Sequence, residues 1–263
     1  MKNVYFILVL LISLPSFSQQ TDFTIPAGTQ KTLVLAEQTL SLKTFNLGDD
    51  CTIIIPSTMS GWTVTADDVT IGKNVRIIGQ GTNGASGANG TYGAIGASCQ
   101  MGMNGAVGGN GSNGVPGKNV SLTLRIRKIG SLTINVIGGM AGNGGAGGNG
   151  GKGGNATCSC DAGTGGNGGN GGRGGNGGSG GNVTILYSSI GNVAVSNSNF
   201  IIQNFGGANG MGKNGGYAGY GGTGGGCSDP KALVRPAGAS GKNGIPGLQG
   251  SRGANGVTVL QRQ

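Results

Sequence analysis

Histidine is absent from this 263-residue chain. That single absence removes triads that need an imidazole base, and the commonest nitrogen ligand for metals. Acidic residues are scarce, 8 against 17 lysines and arginines. The only acidic pairs are Asp49-Asp50 and Asp67-Asp68, both in polar, turn-like text where a solvated turn is the ordinary explanation. A β-helix polysaccharide-active enzyme using Asp67 or Asp68 is a distant alternative to a chain with no catalytic residues, metal or cofactor. Proline occurs 7 times, too few for a collagen triple helix. Aspartate is missing from the repeats, which argues against a calcium-binding nonapeptide roll. No G-x-x-x-x-G-K-[ST] phosphate cradle occurs. Beyond the N-terminus no segment is apolar for long enough to cross a bilayer, and none has a helical period.

What is present begins with MKNVYFILVLLISLPSFSQQ. Lys2 supplies a positive start, Tyr5–Leu14 an apolar stretch and Ser16-Phe17-Ser18 a small-x-small cleavage site. The expectation is a signal peptide over 1–18, cut after Ser18. The mature chain is then secreted or held at the cell surface, without membrane insertion, where disulfides persist. Basic residues are scattered; only Arg125, Arg127 and Lys128 cluster. The two arginines alternate with Leu124 and Ile126, as on the wet face of a strand, so no nucleic-acid partner is expected.

Glycine accounts for 63 residues, in three tracts with a period of three. In the first it recurs from Gly81 to Gly96 and from Gly102 to Gly117, with Cys99 at the missing beat. The second doubles it, from Gly144-Gly145 to Gly153-Gly154 and from Gly165-Gly166 to Gly180-Gly181, in phase across the interruption. The third runs from Gly207 to Gly225 and resumes, phase-shifted, from Gly238 to Gly256. Three residues per turn is the period of polyproline II, and a glycine edge lets a neighbouring backbone approach. The maintained phase argues against a disordered linker. Each tract reads as a hairpin of two antiparallel arms, roughly 50–60 Å long at about 3.1 Å per residue. Two glycine rows suit an arm touched on two edges, so the second hairpin is expected in the middle.

The tips fall at 97–101, 155–164 and 226–237. Cys99 lies in the first, Cys158 and Cys160 in the second, Cys227 in the third. Alternate residues of Cys158-Ser159-Cys160 reach to opposite sides, so one suits Cys99 and the other Cys227; spacing leaves open which. Cross-links offset the backbone entropy that glycine loses on folding. Cys51 reads as a buried free thiol.

Between the tracts run alternating apolar segments: Thr32–Leu35, Leu40–Leu47, Cys51–Ile55, Trp62–Gly72, Asn74–Gly79, Val120–Val136, Val183–Tyr187, Val193–Val195 and Phe200–Phe205. Each tract re-enters strand at similar text, Asn119-Val120, Asn182-Val183 and Asn255-Gly256-Val257. The fold expected is all-β/irregular: a short β-solenoid or β-sandwich base carrying three glycine hairpins packed as a six-helix polyproline II bundle. The expected segments are an N-terminal β region at 19–80, hairpins at 81–117, 138–181 and 206–256, β units at 118–137 and 182–205, and a terminal strand at 257–263.

This run of text resembles the glycine-rich polyproline II bundles. Gly165–Ile185 looks like the GGxGGxGG…V-x-[IL] run of the Obg-type GTPase N-terminal domain, but no nucleotide-binding domain follows, so GTPase activity does not transfer. The disulfide-linked hairpins resemble those of the snow flea antifreeze protein. Rigid arms with variable tips resemble the glycine-rich adhesins of phage tail fibres. The GGN wording is shared with mycobacterial glycine-rich proteins, whose helical N-terminal domain is missing here. The resemblance implies a non-enzymatic structural or adhesive surface protein whose tips bind a cell-surface glycan or protein, or alternatively only turn the chain and carry disulfides. The candidate tip residues are Gln100, Met101, Asp161, Asp229, Lys231, Leu233, Val234 and Arg235. Ice binding is the alternative, through the small-residue row Thr82, Ala85, Ala88, Thr91, Ala94 and Ala97, whose competing role is a packing edge inside the bundle.

Overall fold

The computed structural model describes residues 22–225 and 234–263. Among these there is no α-helix, only two single 3-10 turns at Leu35–Glu37 and Asn197–Asn199. The strands are β1 (Asp22–Ile25), β2 (Gln30–Thr32), β3 (Thr39–Leu47), β4 (Thr52–Ile54), β5 (Gly61–Ile71) and β6 (Val75–Ile78), followed by β7 (Asn119–Ile129), β8 (Leu132–Asn135), β9 (Val183–Ser189), β10 (Phe200–Gln203) and β11 (Thr258–Arg262). Odd-numbered strands form one sheet, β1-β3-β5-β7-β9-β11; even-numbered strands form the other, β10-β8-β6-β4-β2. The pairs in both sheets are parallel, and neither sheet closes into a barrel. A parallel neighbour needs a crossover connection. Here the crossover is a strand of the opposite sheet, so the chain winds and adds one strand to each sheet per turn.

The core lies between the sheets. Stacked rungs such as Ile53–Ile77–Ile134 and Val64–Leu122–Ile185 line its two walls, all fully buried. Each such side chain stabilises the fold by about 1.5–3 kcal/mol through burial. Trp62 packs on Phe45 and Phe23, with ring centroids 6.0 and 6.4 Å away, and its indole N–H donates to the Glu37 carbonyl at 3.0 Å. Arg125 and Arg127 stand on the wet side of β7, as the alternation requires; Lys128 is exposed as well because the register against β5 shifts between Ile126 and Lys128.

Three local expectations change. Thr32–Leu35 is not a strand: β2 ends at Thr32, and the chain turns through Leu35–Glu37 because the Glu37 carboxylate accepts the Val34 N–H and pairs with Lys31 at 2.8 Å. Val193–Val195 forms no strand either. It follows a turn at Gly191 (φ +68°) and precedes one where the Asn199 side-chain oxygen accepts the Ser196 N–H at 2.9 Å. Asp67-Asp68 lies inside β5, not in a turn. The register against β7 shifts there, so two consecutive residues escape the alternation while Ala66 and Val69 both stay buried.

Connections from the odd sheet to the even sheet are tight turns, except the longer link over 190–199 between β9 and β10. Asp50 and Asn74 hold φ near +57° and +54° there, and the Asn74 amide donates to the Asp50 carboxylate at 3.1 Å. The return corner is where the tracts emerge. After β2 and β4 it is short; after β6, β8 and β10 it becomes a pair of extended arms. We number these arms 1 (80–97), 2 (101–118), 3 (137–155), 4 (163–182), 5 (205–224) and 6 (237–257). Arms 1, 3 and 5 prolong β6, β8 and β10 as one layer; arms 2, 4 and 6 lead into β7, β9 and β11 as the other. Polar groups hold the roots: the Lys118 ammonium donates to the Ser57 carbonyl at 3.1 Å, and the Asn204 amide to the Thr258 hydroxyl at 3.0 Å.

Hydrogen bonds between arms step by three residues. Gly81, Gly84, Gly87, Gly90, Gly93 and Gly96 of arm 1 donate to Ile137, Met140, Asn143, Ala146, Asn149 and Lys152 of arm 3. Arms 3 and 4, from the second tract, bond to each other and to both other tracts, so this tract lies between them. The glycines serve space rather than backbone handedness. Among the described glycines only Gly28 and Gly191 have positive φ, and both lie in the base. A Cβ at Gly145, Gly169 or Gly172 would collide with the carbonyl oxygen of Ala88, Ala106 or Gly109 respectively.

Candidate functional site

The tips were the sequence-based candidate, and the structure draws several of their residues together. Cys99 is disulfide-bonded to Cys160, across 61 residues of sequence and a Cα–Cα distance of 5.9 Å. Cys158 is also disulfide-bonded. Arg235 pairs with Asp161 at 3.2 Å and donates to the Cys158 carbonyl at 3.4 Å. Asp161 and Arg235 therefore tie the second and third tips together. Gln100 forms the first turn, donating its N–H to Ala97 and accepting from Gly154 through its carbonyl. Met101 and Val234 are exposed. Asp229, Lys231, Leu233 and Cys227 lie outside the described residues, as does the 1–18 leader. Cys51 is free and buried, and burial pushes its thiol pKa up.

At least one member of each acidic pair is held by a local partner. Arg127 donates two hydrogen bonds to Asp68, at 2.8 and 2.6 Å, and this holds the Asp68 carboxyl below its ordinary range. Asp49 accepts the Lys73 N–H at 2.8 Å within a turn. Among the described residues no cluster of His, Cys, Asp or Glu could hold a metal ion.

The small-residue row is solvent-exposed. Thr82, Ala85, Ala88, Thr91, Ala94 and Ala97 all lie exposed on the edge of arm 1, which among the described residues has no neighbour beyond it. The expectation that this row is an inner packing edge is overturned: its carbonyls receive N–H groups from arm 2, while its side chains face water.

Asparagine explains how the outer faces are finished. Residues in the outward row of an arm have backbone N–H groups that no glycine carbonyl reaches. Asn side chains of the adjacent arm accept them. Asn143 accepts from Met211 at 2.8 Å, Asn149 from Tyr217 at 2.9 Å and Asn155 from Thr223 at 3.1 Å. On the opposite layer Asn167, Asn170, Asn176 and Asn182 accept from Lys242, Ile245, Ser251 and Val257, each at 2.8–2.9 Å. Where the third slot of the repeat holds Asn, it supplies an acceptor oxygen. An amide supplies it without the like-charge repulsion that aspartates repeated every three residues would suffer.

On the outer face of arms 1, 3 and 5, hydrogen bonds set the transverse rows. Gly93 donates to Asn149 and Gly150 to Tyr217, which aligns Tyr92, Asn149 and Tyr217. Gly96 donates to Lys152 and Gly153 to Tyr220, which aligns Ile95, Lys152 and Tyr220. Tyr92, Tyr217 and Tyr220 are 78%, 74% and 78% exposed. Together they border a shallow groove of about 620 Å³, floored by Asn149, Lys152 and the intervening glycines. This is the strongest candidate site, and the sequence reading missed it. Its signal was present: three of the 5 tyrosines stand in the glycine-rich arms. A smaller cleft of about 380 Å³ at the arm roots, lined by Gln38, Trp62, Asn119 and Asn182, has no charged group.

No family model matches this chain, and no curated protein sequence matches it. The functional argument therefore rests on the groove and its surroundings.

Proposed function

We propose that this protein is a secreted, non-enzymatic adhesive rod that binds a cell-surface glycan or protein. The winding base is read as a short β-solenoid, and the arms as a six-helix polyproline II bundle of the kind its sequence resembles. The three-residue hydrogen-bond step and the glycine edges support that reading. The apolar leader ending at Ser18 and the disulfide at the tips support an oxidising, extracellular location. The single observation that carries the adhesive function is the exposure of Tyr92, Tyr217 and Tyr220 on one rigid face. Three large rings left in water close together, with Ile95 exposed beside them, mark a place where something docks.

Immobilised, oxidised protein tested against whole cells and an array of glycans checks this. Retention that falls with Tyr92→Ser/Tyr217→Ser/Tyr220→Ser places binding on the face. Retention that falls only with Asp161→Ala/Arg235→Ala places it at the tips. Absence of retention on every surface rejects the adhesive function.

A second reading, ice binding, draws on the exposure of the Thr82–Ala97 row. Its residues stand about 9–10 Å apart if the arm is polyproline II. Freezing-point hysteresis of the purified protein checks it, and no hysteresis together with unaltered ice recrystallisation ends it.

A further inference from the structure

We infer that the aromatic face of arms 1, 3 and 5 takes an oxyanion-bearing polysaccharide; this deepens, and rests on, the adhesive reading above. The first observation is charge segregation. After Asp68 the only acidic residues in the sequence are Asp161 and Asp229, both in tip segments. The arms thus carry Lys118, Lys152, Arg173, Lys213, Lys242 and Arg252 without a single carboxylate. Lys152 stands on the floor of the groove, exposed, with no ion pair among the described residues. Such a cation is free to meet an anion that arrives from solution, and charge-assisted hydrogen bonds are the stronger ones.

The second observation is a bias in hydrogen-bonding capacity. Asn143, Asn149 and Asn155 spend their side-chain oxygens on backbone N–H groups of arm 5. What each amide has left for a ligand is its NH₂, a donor. The outward-row carbonyls of arms 3 and 5 are likewise occupied by glycine N–H groups. The face therefore offers donors and a cation, and few acceptors. Oxyanions are the complement of that set.

The third observation is the rings. The electron-rich face of a tyrosine attracts the polarised C–H face of a pyranose, and the rigid flat backbone beneath suits an extended polymer. Tyr217 and Tyr220 lie on one arm about 9 Å apart if it is polyproline II, a spacing on the scale of two sugar rings. One lysine among three tyrosines is the wrong ratio for nucleic acid, which demands a track of cations along its phosphates. The groove of about 620 Å³ is ligand-sized. The opposite layer is an internal control. It sets Arg173 beside Asn110 and Leu248, exposed but without an aromatic ring.

The test uses the mature, oxidised full chain in affinity electrophoresis and titration calorimetry. The probes are polygalacturonate, its fully methyl-esterified form and sulfated dextran. We expect retardation by polygalacturonate, loss of retardation on esterification, and weakening with added salt. Lys152→Met is expected to weaken binding about tenfold. Tyr217→Ser/Tyr220→Ser is expected to abolish it, with an unaltered thermal midpoint because both rings are already in water. Arg173→Met should leave it unchanged. Binding to sulfated dextran alone keeps the oxyanion chemistry and assigns its source to sulfate. Equal binding to the esterified polymer, or no response to Lys152→Met, overturns the inference while the adhesive reading stands. Retention of cells with no polysaccharide binding at all overturns it in favour of a protein partner. No retention by any surface defeats both.

Discussion

The base and the arms are built from the same chain on opposite principles. In the base, side chains fill the space between two sheets, and positions alternate with a period of two. In the arms, backbones fill the space themselves, and positions repeat with a period of three. Ile53, Ile77 and Ile134 exclude water by having bulk; Gly145, Gly148 and Gly151 exclude it by having none. The base should therefore be damaged by removing atoms and the arms by adding them.

The largest effects come from breaking either half of that contrast. Trp62→Ala empties a site packed by Phe23 and Phe45 and should cost about 3–5 kcal/mol, read from the denaturant midpoint. Loss of the Cys99–Cys160 bond through Cys160→Ala releases a loop of 61 residues, worth about 4 kcal/mol in the chain-entropy account. The arms should then be the first part to lose amide protection in hydrogen exchange, ahead of the base. Gly148→Ala drives a methyl into the Thr91 carbonyl. It should cost about 3 kcal/mol or more, because one backbone held against another has no rotamer through which to yield.

Gly109→Ala sharpens the comparison. This glycine sits in an edge row that elsewhere holds Ala106, Ser112 and Val115, and its Cβ would lie 3.0 Å from the Ala88 nitrogen. Addition of the methyl should be neutral or stabilising by up to about 0.5 kcal/mol, through reduced freedom of the unfolded chain. A large loss there would mean that the edge rows are as tightly closed as the inner ones. The smallest effect concerns the base surface. Arg127 lowers the pKa of Asp68 below 3.8, so the pair contributes stability above that pH and loses it as pH falls through the lower, folded-state value. The thermal midpoints of the wild type and Asp68→Asn should therefore converge in acid.

How much of this was legible beforehand differs along the chain. From Leu40 onward the β segments followed from alternation, except where a turn intervened, as at Gly191; β1 was not read, and β2 was misplaced because the Glu37 turn follows it. Asp67-Asp68 was misplaced because a bulge and a turn look alike in text: both interrupt the alternation with polar residues. The glycine tracts betrayed their period, and the doubled glycines of the second tract marked the one touched on both sides. Asparagine's role was hidden, since an acceptor is needed only once a neighbouring arm presents an N–H. The tyrosine face was hidden for a further reason, because its members belong to different tracts.

Composition and phase alone determined that extended arms of a three-residue repeat leave a pleated base and rejoin it at Asn119, Asn182 and Asn255. They did not determine which outward residues stand side by side. Sliding one arm past its neighbour by three residues preserves every glycine-to-backbone contact, so the repeat cannot choose its own register. The parallel pairing of the strands at the roots and the cross-links at the tips make that choice. Only the tertiary structure therefore sets Tyr92, Asn149 and Tyr217 in one row.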